Sequence, residues 1–208
     1  MKPYYEADGI TIYHGDCREV IPGLPEHAMV SDPPYGTGWV RGGGSVGVFV
    51  AKHERPEWDV FSVDWLTLSP LTRHWVVFAP ISRAADVLAA LPAASRVDWR
   101  KTNPRPNGPD RDAIIVAPVA LPGGIWFEAY NGDTPLHPCQ KPIDLMAWCV
   151  QFVPPHLTIC DPFVGSGSTL IAAKNLGKIA IGIEIEERFC EIAADRLRQG
   201  VLDFGGAA

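Results

Sequence analysis

The turn Ser-Asp-Pro-Pro-Tyr-Gly at residues 31–36 combines groups that could perform chemistry on an amino group. Its prolines fix φ and lack N–H donors, so a neighbouring carbonyl can face outward. A carboxylate and this carbonyl, aimed at both hydrogens of a ring amine, would stabilise the positive charge that develops as a methyl group arrives. The tyrosine ring could stack on a base that has left its duplex. We predict a catalytic turn of Asp32, Pro33, Pro34 and Tyr35. The alternative is a turn that merely ends a strand.

A second motif, in residues 158–184, has the pattern of a nucleoside-binding loop. A buried strand is predicted to end at Asp161, and a glycine-rich turn and a helix follow. Gly165 and Gly167 would let the backbone approach a ligand, and Glu184 at the end of the next strand could accept both ribose hydroxyls. The third glycine of a dinucleotide fingerprint is replaced by Leu170, and no phosphate-binding Gly-Lys-Ser/Thr follows. S-adenosylmethionine therefore fits the loop, unless the glycines serve only a tight turn.

The elements that must position these motifs alternate between strands and helices. Several predicted strands are apolar throughout, which favours a mostly parallel sheet with helices on both faces. Ser82 is predicted to cap the first long helix, and Pro142 to occupy the first position of the next. The predicted strands are 10–14, 28–31, 75–79, 96–101, 113–117, 158–160 and 179–183, and the predicted helices are 83–91, 142–153, 168–176 and 187–199.

Length, composition and charge limit the class of protein. The 208 residues, 47% of them hydrophobic, are enough for one domain, so we predict a single domain over 1–208. No apolar stretch is long enough to span a membrane, and no secretory signal is recognisable, so we expect a cytoplasmic location. Five cysteines without a CxxC pair argue against disulfides and structural zinc, and no metal is expected. The net charge of -6 argues against a strongly basic nucleic-acid binder.

Three motifs in order, DPPY at 32–35, HPCQKP at 137–142 and DPFVGSGST at 161–169, carry a family resemblance. The chain resembles the beta class of DNA amino-methyltransferases, which modify the exocyclic amine of adenine or cytosine. The resemblance covers nearly the whole chain. It implies a Rossmann-like sheet of seven strands, mostly parallel with one antiparallel strand. It also implies S-adenosylmethionine as methyl donor, with no metal, and DNA as partner. The small size suggests a phage-type or orphan member.

The same resemblance implies roles for individual residues around the cofactor. Ser168 and Thr169 would hold the cofactor carboxylate, and Asp16 would lie near its adenosine end. Gln140 and Lys141 would lie against its methionine part, where Lys141 could pair with a carboxylate. Cys139 stands where the family usually has threonine. The implied cofactor-binding residues are Asp16, Asp32, His137, Gln140, Lys141, Asp161, Phe163, Gly165, Ser166, Gly167, Ser168, Thr169 and Glu184.

The region that would recognise the DNA sequence is short. The resemblance implies that this region lies between the preceding strand and the HPCQKP motif. Only residues 118–136 are available there, so we predict a reduced target-recognition region. Segment 36–64, rich in glycine and polar residues, is predicted to be a mobile substrate loop. The charges of this segment are equally consistent with an ordinary protein surface. Arg100, Lys101, Arg105 and Arg111 form a second possible basic edge, whose positive charge is reduced by Asp98, Asp110 and Asp112. The candidate nucleic-acid contacts are Arg41, Lys52, Arg55, Arg100, Lys101 and Arg105.

Several alternatives stay open at this point. The DPPY motif favours adenine by association with family members, and the cytosine amine is the runner-up. A non-catalytic subunit that binds the cofactor for a partner enzyme, and RNA or protein as the acceptor, are further options. A role in restriction–modification is expected, and the oligomeric state, a homodimer included, is open. The interpretation requires Asp32 to face the pocket beneath Gly165 and Gly167. An Asp32 buried in a salt bridge would contradict it.

Overall fold

The computed structural model describes residues 1–36, 60–91, 93–101, 110–121 and 140–199, together with the backbone of three further strands at 39–41, 49–51 and 125–128. The strands are β1 (Tyr5–Ala7), β2 (Ile10–His14), β3 (His27–Ser31), β4 (Trp39–Arg41), β5 (Phe49–Ala51), β6 (Trp75–Pro80), β7 (Ser95–Lys101), β8 (Arg111–Ala117), β9 (Ile125–Glu128), β10 (Thr158–Asp161) and β11 (Ala180–Glu184). The α-helices are α1 (Cys17–Val20), α2 (Ala84–Ala90), α3 (Ile143–Val150), α4 (Ser168–Asn175) and α5 (Glu187–Arg198).

Nine of these strands form one sheet in the order β1-β2-β11-β10-β3-β6-β8-β7-β9. The seven central strands are parallel except for β8, which runs antiparallel to both of its neighbours. This confirms the predicted mostly parallel sheet with one antiparallel strand. The predicted number of strands was too small, because β1 and β9 add one short strand at each edge. Strands of three and four residues are too short to show a hydrophobic period. A separate antiparallel pair is formed by β4 and β5.

Helices cover both faces of the sheet, as the apolar strands predicted. In β6, Val76 and Phe78 pack with the layer that contains α3, α4 and α5. The alternate residues Val77 and Ala79 pack with the layer that contains α1 and α2. Both sets are almost completely buried, which explains why this strand has no polar face. No helix in the described part of the chain has both the length and the apolarity needed to cross a bilayer.

Two predicted helix starts were wrong. Ser82 lies inside a 3-10 turn, Ile81–Arg83, and α2 begins only after it, with no side-chain cap. Pro142 precedes α3 in an extended conformation with ψ 140°, so it is the cap residue and not the first helical residue. The helix also ends at Val150 and not at 153, because residues 151–153 bond to carbonyls three residues back and tighten the chain.

The carboxyl ends of four adjacent strands bring distant motifs to one edge of the sheet. These strands are β2, β11, β10 and β3, which are adjacent in this order and run parallel to one another. The chain carries Asp16 just after β2, Glu184 and Asp161 at the ends of β11 and β10, and Asp32 just after β3. Ligands of open α/β sheets bind in the crevice outside such strand ends.

Candidate active site

A cavity of about 560 Å³ opens at this edge of the sheet. Segments from six separate parts of the chain line it, including residues of the 60–68 segment. Gly167 is the single described member of the predicted site that is not among the lining residues, and His137 lies outside the described residues. The predicted residues that line the cavity are Asp16, Asp32, Pro33, Pro34, Tyr35, Gln140, Lys141, Asp161, Phe163, Gly165, Ser166, Ser168, Thr169 and Glu184.

Asp161 holds the glycine loop by accepting hydrogen bonds with both of its carboxylate oxygens. One carboxylate oxygen accepts hydrogen bonds from the Ser31 hydroxyl at 3.0 Å and the Phe163 N–H at 3.1 Å. The other oxygen accepts from the Thr169 hydroxyl at 2.5 Å. Burial raises the pKa of Asp161 to about 6. The residue therefore joins the end of β3, the loop and the start of α4. Thr169, implied as a ligand for the cofactor carboxylate, donates its hydroxyl to Asp161.

Glu184 fixes the loop from the other side. Its Oε2 accepts from the Gly165 N–H at 2.8 Å, and its Oε1 accepts from the Glu186 N–H at 2.9 Å. Burial raises the pKa of Glu184 to about 6. Each oxygen of a carboxylate can accept more than one hydrogen bond, so both retain capacity for a ligand hydroxyl.

The first turn of α4 presents donors to the cavity. Gly167 precedes the helix with φ +84°, and no side chain caps the helix start. The Ser168 hydroxyl is buried and has no hydrogen-bond partner within the described part of the chain. Free N–H groups at a helix start favour an anion. A ligand carboxylate at this position would satisfy the Ser168 hydroxyl as well.

Two glycines are required by packing and not by a ligand. A Cβ on Gly167 would lie 2.9 Å from the Ala193 Cβ, so this glycine lets the loop contact α5. A Cβ on Gly182 would lie 2.3 Å from Val164 and 2.7 Å from Leu170. Sequence reasoning gave Gly167 a different reason and missed Gly182. The available signal for Gly182 was a glycine within an apolar strand, which often marks a close approach.

Lys141 pairs with Asp32 at the opposite end of the cavity. Its ammonium donates to Asp32 Oδ2, and the two side chains are only 7% and 16% exposed. Burial raises the pKa of Asp32, and the Lys141 ammonium opposes that rise. Lys141 thus pairs with a carboxylate of the protein itself, and its place against the methionine part of the cofactor stays a prediction.

The same pair bears on the condition set for Asp32. The residue faces the cavity, as required, but it also forms the buried salt bridge that the interpretation expected to be absent. The bridge engages Oδ2, whereas Oδ1 is buried, and the Tyr35 hydroxyl also interacts with the carboxyl group. Lys141 therefore places a counter-charge on Asp32 beside the cavity.

The cavity walls also include Trp65, Thr67 and Leu68, and Cys17 and Arg18 after β2, which sequence reasoning did not assign to the site. Trp65 packs edge-on against the Phe163 ring with 5.3 Å between ring centres. Asp16 caps α1 through the Arg18 N–H at 2.9 Å and also pairs with the Arg18 guanidinium, which lowers the pKa of Asp16. Neither contact has a local sequence signature beyond the cap.

The predicted basic edge is largely neutralised. Lys101 lies 3.0 Å from the buried Asp112, and Arg111 lies 3.9 Å from Asp98. Arg100 is exposed on β7. The predicted dilution by aspartates therefore takes the form of ion pairs. The Arg41 side chain and Lys52, Arg55 and Arg105 lie outside the described residues.

Two findings concern possible metal or disulfide chemistry. Cys17, Cys149, Cys160 and Cys190 are free, buried thiols, as predicted. Within the described ranges, no three or more histidine, cysteine, aspartate or glutamate side chains are arranged to hold a metal ion.

Comparison with known proteins gave matches at three levels. A family model described as DNA methylase, N6_N4_Mtase, matches residues 94–195. The type II methyltransferase M2.LlaDCHI of Lactococcus lactis subsp. cremoris is 26% identical over 254 aligned positions, which cover 96% of this chain and 93% of the relative. The type II methyltransferase M.ScaI of Streptomyces caespitosus is 24% identical, with 94% and 84% covered.

Two solved structures share the fold. The M1.HpyAVI–SAM complex superposes with a TM-score of 0.66 at 23% identity and covers 90% of this chain and 99% of that one. The PvuII DNA methyltransferase, described as cytosine-N4-specific, superposes with a TM-score of 0.68 at 15% identity and covers 99% of this chain and 91% of that one.

Proposed function

We propose that this chain, which is similar to DNA amino-methyltransferases, transfers the methyl group of S-adenosylmethionine to the exocyclic amine of adenine in DNA. The observation that carries the proposal is that one cavity contains both the glycine loop and Asp32. A methyl donor bound at the loop and an amine bound at Asp32 would share a space of about 560 Å³.

The cofactor would occupy the half of the cavity formed by β10, β11 and α4. Glu184 would accept the ribose hydroxyls, since its oxygens keep acceptor capacity after bonding two backbone N–H groups. The start of α4 and the Ser168 hydroxyl would bind the carboxylate of the methionine part. The solved M1.HpyAVI structure contains this cofactor, which supports the choice.

The Asp32 carboxylate and the Pro33 carbonyl would each accept a hydrogen bond from one of the two hydrogens of the amine. The amine nitrogen attacks the methyl carbon and forms the N–C bond. The C–S bond breaks with its electrons going to sulfur, and a neutral thioether leaves. The nitrogen then releases one proton to the Asp32 carboxylate and from there to water. Acceptors fixed in advance lower the energy of the developing cation, and sulfonium needs no metal to become a leaving group.

The acceptor base would have to leave the duplex, because a stacked and paired amine cannot reach a cavity at the sheet edge. Extruding a base takes a few kcal/mol, which stacking in a pocket partly offsets. Tyr35 lines the cavity immediately after the prolines and offers an aromatic face. We propose that the base stacks on Tyr35 while its amine contacts Asp32.

Adenine is favoured over cytosine by the aspartate at the first position of the turn. The cytosine amine is the second candidate, because the cytosine-N4-specific PvuII enzyme has the same fold. Sequence recognition would rest on few residues: the M2.LlaDCHI alignment spans 254 positions, more than the 208 residues here, so that relative contains segments which this chain lacks. By likeness to the type II enzymes, we propose a role in modifying a specific DNA site.

The test is methyl transfer by the purified chain alone, with labelled S-adenosylmethionine and duplex DNA, followed by mass spectrometry of the nucleosides. We expect N6-methyladenine. Methylated cytosine as the sole product would make cytosine the acceptor base instead of adenine. Label found only in a matched RNA would make RNA the acceptor instead of DNA. Cofactor binding without transfer to DNA, RNA or protein would favour the non-catalytic subunit.

A further inference from the structure

Lys141 is the one buried lysine in the described part of the chain, and its surroundings are mainly aromatic. Its ammonium lies 5.0 Å from the centre of the Phe78 ring, 5.4 Å from that of Tyr35 and 5.9 Å from that of Trp99. Removing an ammonium from water is unfavourable unless an anion or aromatic faces replace the water. Asp32 supplies the anion and the three rings supply the faces.

We propose that Lys141 is a positioning residue for methyl transfer: its ammonium keeps Asp32 ionised and holds Oδ2, which fixes the carboxylate in place for the substrate amine. This inference rests on the function proposed above, because it gives Asp32 a substrate. Lys141 acts through Asp32 and makes no contact with the reacting atoms.

The electrostatic surroundings show why Asp32 requires a cation. Burial first, and then the charge of Asp112 on β8, disfavour the ionised form of Asp32. Asp161, on β10, is close enough for the Asp32 charge to add to the effect of burial on the Asp161 pKa. The buried Cys149 thiol, on α3, is a further titratable neighbour, and the Tyr35 hydroxyl lowers the pKa of Asp32. Lys101 already pairs with Asp112. Lys141 is therefore the cation placed to offset the burial of Asp32.

The geometry also separates Lys141 from the cofactor carboxylate. That carboxylate has its own donors at the start of α4, where the Ser168 hydroxyl lacks a partner among the described residues. The ammonium of Lys141 is directed to Asp32 and enclosed by side chains from β6, β7 and the DPPY turn. The cavity therefore contains one set of donors for each end of the reaction.

The rings fix the ammonium in place. Phe78 and Trp99 are buried core residues that pack edge-on at 6.4 Å, so they cannot move away without opening the core. The Lys101 ammonium lies 5.3 Å from the centre of the Trp99 ring, near the ion pair with Asp112. The Asp32–Lys141 pair is thereby held at a defined position relative to the sheet.

The experiment measures kcat against pH for the wild type, Lys141→Met, Lys141→Gln and Lys141→Arg, together with the Kd of S-adenosylmethionine by calorimetry. Asp32 must be ionised to act, so kcat falls as pH drops through its pKa in the complex. Removing the cation raises that pKa. In Lys141→Met we expect the acidic limb to move upward by at least about one pH unit. The Kd should stay within about threefold, because the ammonium binds Asp32 and not the cofactor.

Three comparisons make the result decisive. Lys141→Arg keeps the charge and should retain the acidic limb within about half a pH unit, even if kcat falls. Lys178→Met removes a part-buried lysine that donates to the Val153 carbonyl, far from the cavity, and should leave the limb in place. Lys141→Gln provides the same reading as Lys141→Met if the methionine variant does not fold.

The inference and the proposed function fail in different ways. An acidic limb that stays in place in a folded, active Lys141→Met or Lys141→Gln protein overturns the inference and leaves the function intact. A Kd raised about tenfold or more with an unmoved limb makes Lys141 a cofactor ligand instead. A wild type that transfers no methyl group to a nucleic acid removes the function itself.

Discussion

The two ends of the cavity stabilise buried carboxylates in different ways. At the end proposed to bind the cofactor, Asp161 and Glu184 accept hydrogen bonds from neutral hydroxyl and backbone N–H groups, and burial raises the pKa of each to about 6. At the end proposed to bind the substrate, Asp32 is paired with the full positive charge of Lys141.

The difference follows from what each carboxylate has to do. Neutral donors are sufficient for a carboxylate that holds a loop in shape, as Asp161 does. A carboxylate that must accept hydrogen bonds from an amine becoming positive has to be ionised, and an adjacent cation secures that state. The type of partner thus separates the groups that shape the site from the group proposed to act in it.

The strongest test of this contrast is Asp32→Ala. Losing one preorganised acceptor should lower kcat by about 10²–10³-fold, while the Kd of S-adenosylmethionine changes little. Steady-state kinetics and calorimetry on the same protein check both numbers. Asp144→Ala, an exposed acid in the first turn of α3, is the control and should keep full activity. Weakened cofactor binding with intact turnover would reverse the assignment of the two ends.

The converse change is Glu184→Gln. The substitution replaces one acceptor oxygen by an amide NH2 group, which cannot accept a hydrogen bond from a ribose hydroxyl. Because hydrogen bonds to charged groups contribute about 1.5–3 kcal/mol, the Kd of S-adenosylmethionine should rise by about 10-fold or more. Turnover at saturating cofactor should fall far less. Glu186→Gln alters the next carboxylate on the same turn, which does not line the cavity, and should leave the Kd unchanged. Equal effects of the two variants would remove Glu184 from the cofactor site.

The pH dependence of cofactor binding sharpens the contrast further. With a pKa of about 6, Glu184 is ionised above that pH and gains a proton below it. Protonation removes acceptor capacity, so the Kd should rise as pH falls through 6, by at most about tenfold per unit. Calorimetry between about pH 5 and 8 gives the curve. The Glu184→Gln protein should show a flatter one.

The smallest expected effect concerns the packing beneath the cofactor end. Gly167 and Gly177 both have positive φ, but a Cβ on Gly167 would contact Ala193 at 2.9 Å, whereas one on Gly177 would meet nothing within 4 Å. Gly167→Ala should therefore lower the free energy of unfolding by about 1 kcal/mol or more beyond Gly177→Ala. Urea unfolding of both variants measures the difference. Equal losses would mean that backbone strain alone requires Gly167.

The sequence predicted the class of fold, because apolar strands that alternate with helices indicate a mostly parallel sheet. The DPPY turn and the glycine loop, predicted to serve one site, both line the cavity. Partner choice inside the site was less predictable. The Asp32–Lys141 pair joins positions 109 residues apart, and no local pattern specifies it. Gly182 was missed because its neighbours lie on other elements.

The sheet order has a consequence for how the molecule is made. Because β11 is inserted between β2 and β10, the last of the described strands fills an interior position, the third of nine, in the sheet. A nascent chain that has not yet emerged from the ribosome as far as Glu184 has a gap there, with the backbone of β2 and β10 unpaired on that side. The crevice at this edge can therefore be completed only after residue 184 has emerged and this non-local pairing has formed.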